Sequence, residues 1–153
     1  IIVIYIGIFY YNNFYVPDGE EFDIKYTNLR VMESVGDQTE EKHELTDHGL
    51  YTRTNFIKNG DKVEYMFDVI NDGTLDAILK YDPIQLSTDY YFKKHITYKM
   101  IYTDGTPVRK DDELNSGETK TIIVTIEYSV ADFASRDSQF YESNSYLWFV
   151  RKG

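Results

Sequence analysis

Apolar and polar residues alternate with a period of two over several short segments of this chain. The clearest segment is 63–70, where every second residue from Val63 to Val69 is apolar or aromatic, as in a half-buried strand. Alternation or β-favouring composition predicts further strands at 22–34, 51–57, 75–79, 95–103, 120–128 and 146–150. No long amphipathic helix interrupts them. The pattern predicts an all-β protein, an antiparallel β-sandwich of immunoglobulin-like or jelly-roll topology.

Turn signals separate the predicted strands. In Asn71-Asp72-Gly73 the Asn and Asp side chains can bond their own backbone and Gly can adopt a positive φ, so the chain reverses at little steric cost. This turn predicts a hairpin of 63–70 with 75–79, ended by Pro83. The residues assigned to turns and structural motifs are Asn59, Gly60, Asp61, Asn71, Asp72, Gly73, Asp104, Gly105, Gly117 and Glu118.

Two segments lack the strand pattern. Residues 36–49 are polar and acidic around a lone Leu45, which predicts a solvated loop. Residues 130–139 place Val130, Phe133 and Ala134 at helical spacing, which predicts a short helical turn.

The first eleven residues, Ile1 to Tyr11, are uncharged and almost wholly apolar. A membrane-spanning helix needs about 20 such residues, so this run is compatible with the end of a signal peptide or membrane anchor. A buried strand is the alternative. We interpret 1–16 as the remnant of a signal or anchor, 17–21 as a linker and 22–153 as a single β-sandwich domain.

Composition narrows the range of partners. The chain has 16 Lys and Arg against 26 Asp and Glu, a net charge of −10, which repels phosphate backbones, so we expect no nucleic-acid binding. Cysteine is absent, so the chain has neither disulfides nor thiolate chemistry. Cysteine content therefore does not indicate the cellular compartment. Tyrosine is in excess at 15 residues; it suits interfaces and carbohydrate stacking, although its preference for strands explains the excess better.

Metal ligation is the first chemistry to consider. His43 and His48 lie five residues apart, whereas a helical zinc-protease motif needs a spacing of four, so a solvated loop explains them better. The carboxylates of Asp104, Asp111, Asp112 and Glu113 offer oxygen ligands for calcium, but the regular calcium loop is missing and ordinary surface charge is the preferred interpretation.

Other reactive arrangements are equally sparse. Lys62, Lys120, Asn71 and Asn115 lie at predicted strand ends, where an internal isopeptide bond would need a Lys beside an Asn and a buried acid. Neither a Gly-x-Ser-x-Gly elbow nor a phosphate-binding glycine loop occurs. We therefore predict no catalytic residue, no cofactor, no metal site and no enzymatic activity.

Two segments resemble known surface proteins. Residues 59–77 (NGDKVEYMFDVINDGTLDA) resemble a strand-turn segment of bacterial immunoglobulin-like repeats of the CARDB type, and 114–128 (LNSGETKTIIVTIEY) resemble a strand near the end of those domains. The same segments are similar to the camelysin/TasA family of Gram-positive surface and biofilm proteins. The resemblance implies an immunoglobulin-like or jelly-roll sandwich displayed outside a Gram-positive cell, with an adhesive, fibrous or spacer role. A sortase-type Leu-Pro-x-Thr-Gly motif is absent.

Three functions follow as hypotheses. The leading one is a non-enzymatic extracellular sandwich, tethered to the membrane by its N-terminal segment, with a structural, adhesive or fibre-forming role. The second is a receptor domain that binds carbohydrate or protein through exposed Tyr or the 89–95 segment. The third is a camelysin-like metalloprotease with His43 and His48 as ligands. Expected partners are the membrane, a second copy of the chain, a cell-surface protein or a glycan.

Overall fold

The computed structural model describes residues 16–37, 39–86, 95–129 and 139–153. The strands within these ranges are β1 (Ile24–Val35), β2 (Thr39–Thr46), β3 (Gly49–Phe56), β4 (Lys62–Asn71), β5 (Ala77–Leu79), β6 (Ile84–Leu86), β7 (Ile96–Tyr102), β8 (Glu113–Leu114), β9 (Thr119–Tyr128), β10 (Gln139–Tyr146) and β11 (Phe149–Arg151). The predicted strand at 146–150 is in fact two: β10 ends at Tyr146, and β11 begins in another sheet after Leu147 and Trp148.

The strands form two four-stranded sheets and one small one, and every strand pairing is antiparallel. Sheet A has the order β1-β4-β9-β7, sheet B the order β2-β3-β10-β6, and sheet C the order β11-β5-β8. Residues of sheets A and B contribute to one core, and aromatic rings of the two sheets contact each other across it. The predicted all-β antiparallel sandwich is confirmed.

The order within the sheets comes from two folded hairpins. The chain passes from sheet A to sheet B between β1 and β2 and returns between β3 and β4, so β1 pairs with β4 and β2 with β3. In the second half β6 pairs with β10 and β7 with β9. The β4–β9 and β3–β10 pairings join the halves. Sheets A and B hold eight of the strands in the described ranges, and sheet C holds the other three.

The core combines large side chains from sheet A with small ones from sheet B. In β4 the predicted alternation is confirmed, since Val63, Tyr65, Phe67 and Val69 are all fully buried. Facing residues on β3 and β10 include the buried Thr52, Thr54, Ser143 and Ser145. Close packing of a protein interior favours such a combination of small and large side chains.

One end of the core is closed by an aromatic cluster. Phe56 stacks on Tyr128 with ring centroids 5.8 Å apart, and Tyr141 contacts both rings at 5.9 and 5.7 Å. Each such aromatic pair contributes about 1 kcal/mol beyond the burial of its area. The cluster joins β3 and β10 of sheet B to β9 of sheet A.

Strand β1 changes register at Asn28. Its φ of 56° is left-handed, and the pairing with β4 shifts between Thr27 and Arg30. Such a bulge inserts one extra residue, so Tyr26 and Leu29, three apart in sequence, both pack against the core. Tyr26 also donates a hydrogen bond of 2.7 Å to the carbonyl of Leu147 beyond β10.

The predicted loop at 36–49 was wrong, because this segment contains β2. Lys42 and Glu44 point outward and form an ion pair of 2.8 Å. His43 and Leu45 lie on the inward face opposite Thr52 and Leu50 of β3. A charged outward face is usual on an edge strand, where it discourages pairing with another chain.

The predicted hairpin of 63–70 with 75–79 was also wrong. Strand β5 pairs with β11 and β8 in sheet C instead of with β4. The side chain of Asn71, at the end of β4, is fully buried and bonds the carbonyls of Leu75 and Leu114. These bonds redirect the chain from sheet A into sheet C.

Several predictions fall outside the described residues: the anchor or strand at 1–11, nearly all of the helical turn at 130–139, and most of the 89–95 segment. The proposed boundaries 1–16, 17–21 and 22–153 stay predictions. In the described part, Glu21 is attached to the domain, because its carbonyl accepts a bond from the Thr74 amide at 2.8 Å. No helix in the described ranges is long and apolar enough to cross a membrane.

Candidate functional site

The predicted turn residues at the end of β4 form one structural corner. Besides its two donated bonds, Asn71 accepts a hydrogen bond from the Gly73 amide at 3.2 Å. Gly73 does not adopt a positive φ as the sequence suggested; instead, a Cβ there would lie 2.4 Å from the carbonyl oxygen of Glu21. Asp72 is exposed and pairs with Lys25.

Gly117 and Glu118 meet this corner from the turn before β9. The Gly117 amide donates to the Asn71 carbonyl at 2.9 Å, and the Asn71 amide donates to the Glu118 carbonyl at 3.0 Å. Gly117 has a φ of 74°, and the Glu118 carboxylate caps the turn by accepting a bond from the Asn115 amide at 2.7 Å. These contacts hold two turns together.

The Asn59-Gly60-Asp61 turn lies at the opposite end of β4. Gly60 takes a φ of 91°, and Asp61 is fully buried. The Asp61 carboxylate accepts bonds from the amides of Ile57 and Lys58 at 2.9 and 3.0 Å. The Asp61 carboxylate therefore satisfies backbone amides, which is a structural role.

Asp104 and Gly105 turn the chain after β7. Gly105 has a φ of 86°, and Asp104 accepts bonds from the hydroxyl and the amide of Thr106 at 2.6 and 2.8 Å. The bond from the Thr106 hydroxyl, followed by the bond from its amide, holds the pKa of the Asp104 carboxyl below its ordinary value.

Each of the three histidines contacts a different tyrosine. The ring of His43 lies 5.4 Å from that of Tyr65, and the ring of His48 lies 6.1 Å from that of Tyr146. His95 is within 3.1 Å of the Tyr141 hydroxyl. Among the residues that the structure describes, no group of three or more His, Asp or Glu side chains could hold a metal ion.

The other candidate groups have separate partners. The Asp112 carboxylate accepts bonds from the Tyr102 hydroxyl and the Arg109 backbone amide, and Glu113 pairs with Lys152 at 2.6 Å. For the isopeptide alternative, Lys62 pairs with Glu33 at 2.7 Å, and Lys120 donates to the Glu113 carbonyl at 2.6 Å.

The arrangement best suited to bind a ligand lies on the outward surface of sheet B. This sheet B outer face consists of Tyr51, Arg53, Phe140, Glu142 and Tyr146, all outward-facing residues of β3 and β10. One oxygen of Glu142 accepts bonds from Tyr51 and Arg53, at 2.9 and 2.8 Å. The guanidinium of Arg53 also lies over the Phe140 ring, 4.7 Å from its centroid.

Charge-assisted bonds fix the polar groups of this face. The bonds from Arg53, and then from Tyr51, hold the pKa of Glu142 below its ordinary value, so its carboxylate stays ionised at neutral pH. Neighbouring Lys42 lies 5.5 Å from the centre of the Tyr51 ring. Phe140 nevertheless remains 43% exposed. The result is a flat surface that presents aromatic rings beside pre-positioned donors and acceptors.

Sequence reasoning missed this face. The inward residues of β10 are Tyr141, Ser143 and Ser145. Because two of the three are small polar serines, the sequence lacks the apolar alternation of a buried strand. The outward alternation of Phe140, Glu142 and Tyr146 was the available signal. Of the tyrosines considered for binding, Tyr98 and Tyr102 pack against the core, while Tyr10, Tyr11, Tyr90 and Tyr91 lie outside the described residues.

Comparison with known proteins adds no family. No protein-family model matches the chain, and no curated protein matches it either. The CARDB-type and camelysin/TasA resemblances therefore stay expectations.

Proposed function

We propose that this chain is a non-enzymatic adhesion module that binds carbohydrate through the sheet B outer face. The observation that carries the proposal is the network in which Glu142 fixes Tyr51 and Arg53 beside the exposed ring of Phe140. Sugars present apolar C–H faces that stack on aromatic rings and hydroxyls that bond to fixed polar groups. A rigid face loses little side-chain entropy on binding.

The strand geometry suits an extended ligand. Successive outward residues of a strand are about 7 Å apart, so Phe140 and Tyr146 lie about 20 Å apart along β10. Tyr51 lies on the neighbouring strand, opposite Asn144. A polysaccharide segment laid along β10 would meet an aromatic ring at each end and the Arg53–Glu142 pair between them.

Display outside the cell is the second part of the proposal. It is supported by the apolar segment Ile1 to Tyr11, the acidic composition and the two segments that resemble Gram-positive surface domains. Fractionation of the full-length protein tests it. Recovery with the membrane or wall supports a tethered module, whereas recovery in the cytosol contradicts it.

A panel of neutral oligosaccharides tests the binding function. We expect at least one to bind, and we expect Phe140→Ala to weaken it about fivefold because one stacking contact is lost. Glu142→Gln should also weaken binding, because it removes the charge that holds Arg53. The matched control is Glu64→Gln on sheet A, whose carboxylate accepts a bond of 3.1 Å from the Thr125 hydroxyl. Equal losses in both Gln variants would contradict the assignment of the site.

The described residues do not support the zinc-protease alternative. Its two histidines pack against different tyrosines, and no third ligand accompanies them among the described residues. The carbohydrate-binding hypothesis has a specific surface, whereas the residues that the structure describes offer the protease hypothesis no zinc site.

A further inference from the structure

A cleft of about 500 Å³ opens beside sheet C. Its wall includes Lys80 after β5, Arg151 at the end of β11, and Lys110 in the turn before β8. None of the residues that line it belongs to the sheet B outer face. Its volume falls within the range of ordinary small-ligand sites, about 300 to 1,000 Å³.

The side chains that line the cleft are mostly cationic, whereas the chain as a whole is acidic. The described residues that line it include the three cations Lys80, Lys110 and Arg151 and one acidic side chain, that of Asp111. The whole chain has 16 basic against 26 acidic residues, so acids would outnumber bases in a random sample of its surface. Converging charges of one sign in a cleft concentrate the field and attract ions of the other sign.

The backbone around the cleft is held firmly. Leu79 and the 111–112 turn exchange two backbone bonds of 2.9 Å, and the Lys110 amide donates to the Asp82 carboxylate at 2.8 Å. The Asp112 carboxylate accepts bonds from the Arg109 amide and the Tyr102 hydroxyl, both at 2.8 Å. Two nearby acids therefore stabilise the frame.

Two exposed aromatic rings form a rim beside the cleft: Tyr81 lines the cleft, and Trp148 lies outside its lining and contacts Tyr81. Tyr81 is 43% exposed and Trp148 is 47% exposed, and their rings meet edge to face with centroids 6.0 Å apart. The amide of Lys80 donates to the carbonyl of Trp148 at 2.8 Å, which ties the rim to the cationic wall. An aromatic rim beside a cationic wall complements a ligand with both a ring face and an anionic group.

We propose that this cleft binds an anionic saccharide, with its carboxylate or sulfate groups on Lys80, Lys110 and Arg151 and a sugar ring against Tyr81 or Trp148. This is a second site, and it goes beyond the neutral carbohydrate binding assigned above to the sheet B outer face. An arginine fork pairs with a planar carboxylate or a sulfate through two parallel bonds.

Trp148 provides the assay, because it is the only tryptophan of the chain. The full chain is titrated with a heparin hexasaccharide, which carries both sulfate and carboxylate, and separately with neutral cellohexaose. Tryptophan emission is followed at about 0.15 M salt, where distant acidic residues are screened beyond about 8 Å. We expect a saturable change with the heparin hexasaccharide and none with cellohexaose. No change at saturation, or equal changes with both sugars, would overturn the proposal.

Matched charge variants locate the site. Lys110→Gln should weaken heparin binding about tenfold, through the loss of one charge-assisted contact. Lys99→Gln removes the same charge from an exposed position on β7 and should leave the affinity within about twofold. Circular dichroism verifies the fold of both. If Lys99→Gln weakens binding as much as Lys110→Gln, the attraction is general and the cleft is not the site.

The two binding proposals fail separately. Phe140→Ala, on the sheet B outer face, should leave the heparin titration unchanged. Absence of any neutral ligand would remove the function proposed for sheet B but not the cleft. A heparin affinity that falls with Phe140→Ala and not with Lys110→Gln would move the anionic ligand to sheet B and overturn the cleft proposal.

Discussion

Two threonines on one strand make it possible to measure how much a buried hydrogen bond contributes to the free energy of unfolding. Thr52 and Thr54 both face inward from β3 and are 2% and 1% exposed. The hydroxyl of Thr52 lies 3.0 Å from that of Ser143, whereas the hydroxyl of Thr54 has no hydrogen-bond partner among the described residues. Replacing each by Val keeps the shape and the branching at Cβ, so only the hydroxyl changes.

The two substitutions should act in opposite directions. Thr52→Val leaves the buried Ser143 hydroxyl without its partner, at a cost of about 1–3 kcal/mol. The Thr54 hydroxyl loses its hydrogen bonds to water on folding and gains none in the protein. Thr54→Val removes this unfavourable group and should stabilise the fold by about 1 kcal/mol. A difference of about 3 kcal/mol corresponds to melting temperatures about 6–12 °C apart for a domain of this size.

Urea denaturation and thermal melting followed by circular dichroism measure both variants. Thr97→Val, at an exposed position on β7, is the control and should change stability by less than about 0.5 kcal/mol. The double variant Thr52→Val with Ser143→Ala should regain part of the loss, since no unpaired hydroxyl then remains. If Thr54→Val destabilises as much as Thr52→Val, the assignment of bonded and unbonded hydroxyls in this core is refuted.

Three further predictions address the corner, the buried tyrosines and the sheet B outer face. Asn71→Ala removes three hydrogen bonds and should cost about 3 kcal/mol in urea denaturation, whereas Asp72→Ala, at an exposed neighbour, should cost less than about 1 kcal/mol; equal costs would contradict the role of the corner. Burial raises the pKa of Tyr26 and Tyr98. Their contribution to the free energy of unfolding is therefore complete below about pH 10 and is lost as the pH rises further. Absorbance at alkaline pH should show both tyrosines ionising only as the protein unfolds. Hydrogen bonds lower the pKa of Glu142, so carbohydrate binding should be constant from pH 7 to about pH 5 and fall only below the ordinary range of a glutamate, about pH 4; a loss of affinity between pH 7 and 5 would argue against its role.

The sequence was most informative where one face of a strand is fully apolar. β4 and β9 were predictable because Val63 to Val69 and Ile122 to Tyr128 alternate without a break. β2 was not, because it is an edge strand with an outward face of Lys42 and Glu44 and only one aliphatic inward residue, Leu45.

Long-range pairings were the second limit. The turn signal at Asn71 to Gly73 correctly predicted that the chain changes direction there. It did not predict the partners of β5, which lie far along the chain, at Leu114 and Arg151. Local pattern cannot choose between a hairpin and such distant pairings. The sheet B outer face was hidden for the same reason, because Arg53 and Glu142 meet only through the β3–β10 register.

The most direct test of carbohydrate binding at the sheet B outer face is an amide chemical-shift titration of the isotopically labelled protein with the neutral oligosaccharide that binds best in the panel. We expect the largest shifts on Tyr51, Arg53 and the outward residues of β10, and smaller shifts in the Phe140→Ala variant. Shifts confined to another surface, or no shift with any neutral oligosaccharide, would contradict it.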